Sequence, residues 1–224
     1  MPVNAQYNLA APESLPIRIA AYQRRRMYQR FLSMTGIREE HSVLDLGVTS
    51  DQTYSHSNYL VQWYPYKHRI TACGIDDAAF LEEQYPGVKF VRANGKKLPF
   101  ADGQFDYIHS SAVLEHVGSR EEQAAFLRAA WRVARMGVFV TTPNRWFPIE
   151  FHTLLPIAHW LPPAMFRRIC KTTGREFFSH EENLNLISSS ELGQLALDAG
   201  LANVQIGFVT LAGWPSNLLL WAHR

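Results

Sequence analysis

The segment Val43–Asp51 constrains the fold more than any other part of this sequence. Its first four residues, Val43–Leu46, form a short apolar run that carries one acid, Asp45, and is followed by Gly47. Many nucleotide-binding α/β folds open with such a strand, because the next turn presents free backbone N–H groups to a ligand. The further glycines of that turn are absent here, since larger residues fill Val48–Asp51. The rest of the chain therefore decides whether this turn binds a nucleotide.

Strands and helices alternate along the rest of the chain. Helices are predicted from Ser14 to about Met34, stopped by Gly36, and over 53–64, 78–85, 119–134 and 188–200. Strands are predicted over 42–47, 70–75, 88–92, 105–110, 136–142, 204–210 and 217–223. This alternation indicates a mostly parallel sheet with helices on both faces. Only a short turn separates the last two strands, so we expect an antiparallel hairpin at one sheet edge.

Composition excludes several classes of protein. The 224 residues are 47% hydrophobic with a formal net charge of +2, which suits one core and argues against a nucleic-acid binder. The two cysteines, Cys73 and Cys170, provide neither a disulfide framework nor zinc spacing. The apolar region Trp146–Phe166 contains four prolines and cannot span a membrane. With no signal-peptide core at the N-terminus, we expect a soluble protein of the reducing cytoplasm.

Polar residues follow the predicted strands where a ligand would bind such a sheet. Asp76 follows the second strand, and a carboxylate there can accept two hydrogen bonds from ribose hydroxyls. Asn94 and Gly95 follow the third strand, and Ser110 and Ser111 follow the fourth. Together they describe a pocket for an adenosine-like ligand. Each has an ordinary alternative, because a strand-end Asp also caps helices and Asn-Gly is a common turn.

Two motifs give the chain a family resemblance. Residues 98–108 read LPFADGQFDYI, and residues 111–117 read SAVLEHV. The pair resembles class I S-adenosylmethionine-dependent methyltransferases, in the small-molecule branch that includes quinone-biosynthesis enzymes. Looser matches at Val43–Gly47, Gly74–Asp76 and Thr142–Asn144 fall in the same order, and the resemblance covers about 40–223. It implies a Rossmann-like, seven-stranded sheet with an antiparallel last strand and a helical lid after the fifth strand.

The resemblance also implies S-adenosylmethionine as cofactor and S-adenosylhomocysteine as product. Asp76 would hold the ribose, Asn94 and Gly95 would flank the adenine, and Ser110 and Ser111 would lie near the methionine. The predicted cofactor residues are Asp45, Gly47, Val48, Thr49, Asp76, Asp77, Asn94, Gly95, Ser110 and Ser111. The family usually has Asp at the place of Asn94 and a Gly-x-Gly-x-Gly run after the first strand. The side chains replacing those glycines either crowd the amino-acid end of the cofactor, or Thr49 or Ser50 donates to its carboxylate.

Three residues are predicted to be catalytic. A base is needed only if the methyl acceptor must lose a proton, and the candidates are His116, Glu150 and His152. Each histidine has a structural or surface role as its alternative. The Glu-x-His pair also suggests a metal, but the sequence shows no third ligand, and we expect no metal site.

The chain divides into an N-terminal helical segment, 1–36, and a main domain, 37–224, with an inserted segment at 143–175. Within that insertion Trp146–Cys170 is strongly apolar, and its predicted role is a lid that selects an apolar acceptor. A membrane-surface contact through 146–171, a homodimer interface and a packed helical hairpin are the alternatives. Four arginines also cluster on the first helix, which favours a solvated face or contact with an acidic substrate, a membrane or a partner: Arg24, Arg25, Arg26 and Arg30.

The functional prediction is methyl transfer to a small, apolar or lipid- or sugar-linked acceptor, with no nucleic-acid partner. The alternative is a methyltransferase-like protein that has lost catalysis and serves as a binding or scaffolding module, for which the altered first loop is the evidence. A nicotinamide-dependent dehydrogenase fits less well, because no Gly-x-Gly-x-x-Gly follows the first strand.

Overall fold

The computed structural model of the protein describes residues 10–12, 14–54 and 56–224, and these form a seven-stranded sheet in the order β3-β2-β1-β4-β5-β7-β6. Its strands are β1 Val43–Leu46, β2 Ile70–Gly74, β3 Lys89–Arg92, β4 Phe105–Ser111, β5 Ala134–Pro143, β6 Gln205–Leu211 and β7 Trp214–His223. Strands β1 to β5 pair in parallel, and β7 is antiparallel to both β5 and β6. The predicted Rossmann-like sheet and its antiparallel edge hairpin are confirmed.

The α-helices lie between these strands and before them. Their bounds are α1 Leu15–Thr35, α2 Tyr59–Trp63, α3 Phe80–Gln84, α4 Arg120–Val133, α5 Pro163–Thr172 and α6 Ser189–Asp198. The helix predicted over 53–64 is wrong in its first half. There the Asp51 carboxylate accepts a hydrogen bond from the Thr53 backbone N–H at 2.8 Å. Such side-chain-to-backbone bonds stabilise turns at the expense of helix.

Two of the predicted helices begin with the same reciprocal capping arrangement. Ser119 and Ser188 each accept a hydrogen bond from the backbone N–H three residues on, while Glu122 and Glu191 return a bond to the capping residue. These reciprocal bonds satisfy N–H groups that have no partner inside the helix. They fix the first turns of α4 and α6, which pack on the sheet.

The core has one apolar layer on each face of the sheet. Successive strand side chains point to opposite faces, so Leu44 lies in the layer under α4 and α6, and Val43 lies in the layer under α1 and α2. Phe31 of α1 is fully buried in the second layer. Helices therefore cover both faces, as predicted.

The segment that follows β5 builds a small core of its own. It contains a 3₁₀ turn at Ala158–Trp160 and the helix α5. The small core consists of Phe166, Cys170, Phe178, Leu184 and Leu186. Among the residues that the structure describes, no helix has both the length and the apolarity to cross a bilayer.

Candidate functional site

A cavity of about 310 Å³ opens at the carboxyl ends of the parallel strands. The residues that follow β1, β2, β3 and β4 line it, as the parallel topology requires. Nine of the predicted site residues lie in its wall: Gly47, Val48, Thr49, Asp76, Asn94, Gly95, Ser111, His116 and His152.

Four other predicted residues are not in the cavity wall. Asp45 is buried and accepts a hydrogen bond from Nδ1 of His109 at 2.7 Å. Asp77 is exposed and accepts from the Ala79 backbone N–H, so it stabilises a turn. Ser110 is fully buried within β4. Glu150 is also buried, and it reaches the cavity only through His152, which it binds.

The loop after β1 keeps the cavity open despite its missing glycines. Val48 is only 7% exposed and packs in the α1-facing core layer. The backbone of Thr49 is held by Asn58, whose side-chain amide accepts from the Thr49 N–H at 2.9 Å and donates to the Thr49 carbonyl at 3.0 Å. The Val48 side chain is therefore largely withdrawn from the ligand space.

Gly47 has two reasons to be a glycine. Its φ of +98° lies in the left-handed region, which side chains disfavour. A Cβ at this position would also lie 2.2 Å from a methyl group of Val113. The glycine thus makes the turn and leaves room for Val113, while its own backbone stays exposed in the cavity wall.

Asp51 also lines this wall and has an unsatisfied carboxylate oxygen. The residue is 4% exposed, and its Oδ1 accepts from Thr53. Its Oδ2 has no hydrogen-bond partner among the residues that the structure describes. A buried acceptor of this kind needs a donor, because leaving it unpaired costs about 1–3 kcal/mol. In the sequence, Asp51 stands where the family usually has a glycine. No local pattern indicates that it lines a cavity.

The three predicted catalytic residues form one cluster with Glu115. The Nε2 atoms of His116 and His152 are 3.2 Å apart. Nδ1 of His116 lies 2.6 Å from the Asn183 carbonyl oxygen, and Nδ1 of His152 lies 2.7 Å from Glu150 Oε1. Glu115 is fully buried and accepts from the Thr142 hydroxyl through Oε2.

Burial and neighbouring charges shift the pKa of each member of this cluster. Burial, reinforced by the charge of His152, lowers the pKa of His116 to about 3. Burial acts to lower the pKa of His152 as well, but the adjacent Glu150 carboxylate outweighs it and the pKa is raised. Burial raises the pKa of Glu115. Burial acts to raise the pKa of Glu150, but the neighbouring His152 outweighs this effect and the pKa is lowered. A proton in this cluster is therefore favoured on His152, beside Glu150, over His116.

The arginines of α1 have separate roles. Arg24 lines the cavity, Arg25 lies 5.2 Å over the Trp63 ring, and Arg26 donates to the Thr210 carbonyl. Burial lowers the pKa of Arg24. The interpretation of these residues as one solvated face is therefore wrong for Arg24. Its place in the cavity depends on how α1 packs across the sheet, which no local motif encodes.

Comparisons with known proteins agree with this geometry. A family profile described as a methyltransferase domain matches residues 44–141. The match spans β1 to β5 apart from the first residue of β1 and the last two of β5, and it confirms the resemblance that the sequence motifs predicted.

Two relatives cover part of the chain. A demethylmenaquinone methyltransferase of Roseiflexus sp. (strain RS-1) is 33% identical over 130 residues, which are 54% of this chain and 51% of that protein. The ubiquinone/menaquinone biosynthesis C-methyltransferase UbiE of Klebsiella pneumoniae is 31% identical over 122 residues, 50% of this chain and 46% of that protein. The chain thus spans about half the length of the curated relatives it matches.

Solved structures share the whole fold. An S-adenosylmethionine-dependent methyltransferase from Aquifex aeolicus superposes with a TM-score of 0.57 at 17% identity, over 94% of this chain and 99% of that one. The 1,6-didemethyltoxoflavin-N1-methyltransferase of Burkholderia thailandensis gives 0.62 at 16% identity, over 93% and 80%, and was solved with S-adenosylhomocysteine bound. At this identity the likeness establishes a shared class I methyltransferase fold.

Proposed function

We propose that this chain transfers a methyl group from S-adenosylmethionine to a small apolar acceptor. The observation that carries the proposal is the cavity at the carboxyl ends of β1 to β4, which the acids Asp51 and Asp76 line. S-Adenosylmethionine has a ribose diol and an ammonium group, and both donate hydrogen bonds to carboxylates. The donor set of the cofactor and the acceptor set of the cavity therefore match.

The order of the strands separates two halves of the site. Asp76 and Asn94 follow β2 and β3, on one side of β1, whereas His116 and His152 follow β4 and β5, on its other side. The first pair suits the adenosine end of the cofactor. The second pair then lies on the side where an acceptor meets the methyl group, and its predicted catalytic role stays a prediction.

The apolar segment after β5 supports an apolar acceptor. Trp146, Ile149, Ile157 and Met165 are each between 46% and 54% exposed, and His152 of the same segment lines the cavity. Exposed apolar residues on a segment that reaches the cavity through His152 favour an acceptor with an apolar body. The relatives named above are quinone-biosynthesis methyltransferases, so a quinol-type ring is the first acceptor to test.

The protein's own task in such a reaction is mostly alignment. When bound, S-adenosylmethionine supplies a methyl group that is already electrophilic on its sulfonium. Asp76 and Asp51 would hold the ribose and the ammonium group, and the segment carrying His152 would exclude water from the acceptor side. If the acceptor must lose a proton, His152, held by Glu150, would take it up.

Isothermal titration calorimetry with S-adenosylhomocysteine tests the cofactor half of the proposal. We expect Asp76→Ala to weaken binding at least tenfold, because a hydrogen bond to a charged group contributes about 1.5–3 kcal/mol. Asp77→Ala is the matched control: it removes the same side chain one residue away, outside the cavity wall, and should bind within about twofold of the wild type. Absence of binding by the wild type at millimolar ligand would overturn the proposal.

Transfer of a radiolabelled methyl group tests the acceptor half. Demethylated quinols with short isoprenoid tails are compared with polar amines and phenols of similar ring size. We expect label in the quinol products only. Cofactor binding without transfer to any acceptor in the panel would instead favour the alternative of an inactive, methyltransferase-like binding protein.

A further inference from the structure

Two histidines at the cavity wall point the same ring nitrogen at each other. The Nε2 atoms of His116 and His152 lie 3.2 Å apart, and their side chains are only 15% and 13% exposed. In a tetrahedral zinc site with Zn–N distances of about 2.0–2.1 Å, two nitrogen ligands are about 3.3 Å apart. The separation of the two atoms is thus that of a shared ligand pair.

The opposite ring nitrogens fix the tautomers. The Asn183 carbonyl and the Glu150 carboxylate can only accept, so each bonded Nδ1 carries its hydrogen. Either a proton on Nε2 of His152 bridges the pair, or both Nε2 atoms are acceptors and a cation between them is needed to offset their repulsion. Metal-bound histidines show this same arrangement, in which a carbonyl or carboxylate fixes the other ring N–H.

Glu115 supplies a third ligand atom. Its Oε1 is fully buried and has no hydrogen-bond partner among the described residues, although it lies 3.9 Å from Nε2 of His116. The three ligand atoms are all within 4.8 Å of one another. A single proton shared by the histidines would leave this oxygen unsatisfied, whereas a metal ion would satisfy all three groups once the side chains close by a few tenths of an ångström around it, since two bonds of about 2.1 Å span at most about 4.2 Å. The expectation of no metal site depended on the lack of a third ligand, which Glu115 now provides.

We propose that Glu115, His116 and His152 form a binding site for one divalent transition-metal ion. Two imidazoles and one carboxylate suit Zn²⁺, Fe²⁺ or Mn²⁺ better than Ca²⁺ or Mg²⁺, which prefer oxygen ligands. Because His116 and His152 line the cavity, a remaining coordination position faces the space where an acceptor would lie. An ion there would bind a hydroxyl oxygen and lower its pKa. Only this last step rests on the proposed methyl transfer.

Metal binding is measured on the whole chain, freed of tags and stripped with chelator, without cofactor or acceptor. Zn²⁺ is titrated by calorimetry, and Co²⁺ is followed by its visible absorption, which reports a low coordination number. We expect one ion per chain and a rise in melting temperature on binding. Glu115→Gln keeps an oxygen for the Thr142 hydroxyl, so it should fold while losing the ligand charge and most of the affinity.

Further variants make the proposal specific. His152→Gln should abolish Co²⁺ absorption, and Glu150→Gln should lower affinity by about 10–100-fold because Glu150 orients His152. His180→Gln is the control, since His180 is half exposed outside the cluster. Absence of stoichiometric binding by the wild type overturns the proposal. Binding that survives both Glu115→Gln and His152→Gln overturns it equally, because the ion would then lie elsewhere.

Discussion

Asp45 and His109 are register neighbours on β1 and β4, and 2.7 Å separates the Asp45 Oδ1 and His109 Nδ1 atoms. The other ring nitrogen of His109 lies 2.9 Å from the Tyr59 hydroxyl. All three side chains are buried, so the acid at the end of the first strand ties β1, β4 and α2 together.

The first prediction separates Asp45 from Asp76. Asp45→Ala leaves a buried Nδ1–H of His109 without its acceptor, and we expect a loss of about 2–3 kcal/mol in the free energy of unfolding. Its affinity for S-adenosylhomocysteine should stay within about threefold of the wild type. Asp76→Ala should weaken binding of S-adenosylhomocysteine and leave the free energy of unfolding nearly unchanged. Urea unfolding and calorimetry on the two variants check this, and a large loss of affinity with unchanged stability in Asp45→Ala would contradict it.

The second prediction concerns Gly47. Ala at this position must adopt a φ near +98° and would contact Val113, so we expect Gly47→Ala to destabilise the fold by at least about 2 kcal/mol. Adding Val113→Ala removes the clash but not the backbone strain. Gly47→Ala should therefore lower the free energy of unfolding less in the Val113→Ala background than in the wild type, as measured by urea unfolding. Full additivity of the two substitutions would show that they do not meet.

The sequence predicts where the strands end, but it does not predict which acid near a strand end lines the cavity. Asp45 and Asp76 both follow apolar runs, yet one pairs with His109 and the other lines the cavity. The difference arises from the register of β1 against β4, which local patterns do not encode. Asp51 and Arg24 were missed as cavity residues for a related reason. A turn built on side-chain bonds and the packing of α1 place them there, and neither feature has a periodic signal.

The third prediction tests Asp51 as the acceptor for the ammonium group. Asp51→Asn keeps an oxygen for the Thr53 N–H but removes the charge, so we expect it to weaken S-adenosylhomocysteine about tenfold or more. 5′-Methylthioadenosine lacks the amino-acid end and should bind wild type and Asp51→Asn alike. Asp76→Ala should weaken both ligands. Equal weakening of both ligands by Asp51→Asn would assign Asp51 to the structure of the loop instead.

The fourth prediction concerns acid stability and rests on Asp106, which is 3% exposed at the start of β4. Its carboxylate accepts from the Ser42 N–H at 2.9 Å, from the Ser42 hydroxyl at 3.0 Å and from Nε of Arg135 at 2.8 Å. Burial alone would raise the pKa of Asp106, but the bonds from Ser42 and Arg135 outweigh it and hold the pKa below its usual value.

A depressed pKa in the folded state means that Asp106 stabilises the fold above its unfolded pKa of about 3.9 and loses that contribution as the pH falls through the folded value. We expect Asp106→Asn to lower the free energy of unfolding by about 1–3 kcal/mol at neutral pH. Urea unfolding of both proteins between pH 7 and pH 3 should show the two curves converging at the acid end. Asp102→Asn is the control, because Asp102 is exposed and its pair with Arg132 is solvated. A difference between wild type and Asp106→Asn that stays constant over this range would show that the charge of Asp106 is not what stabilises β4.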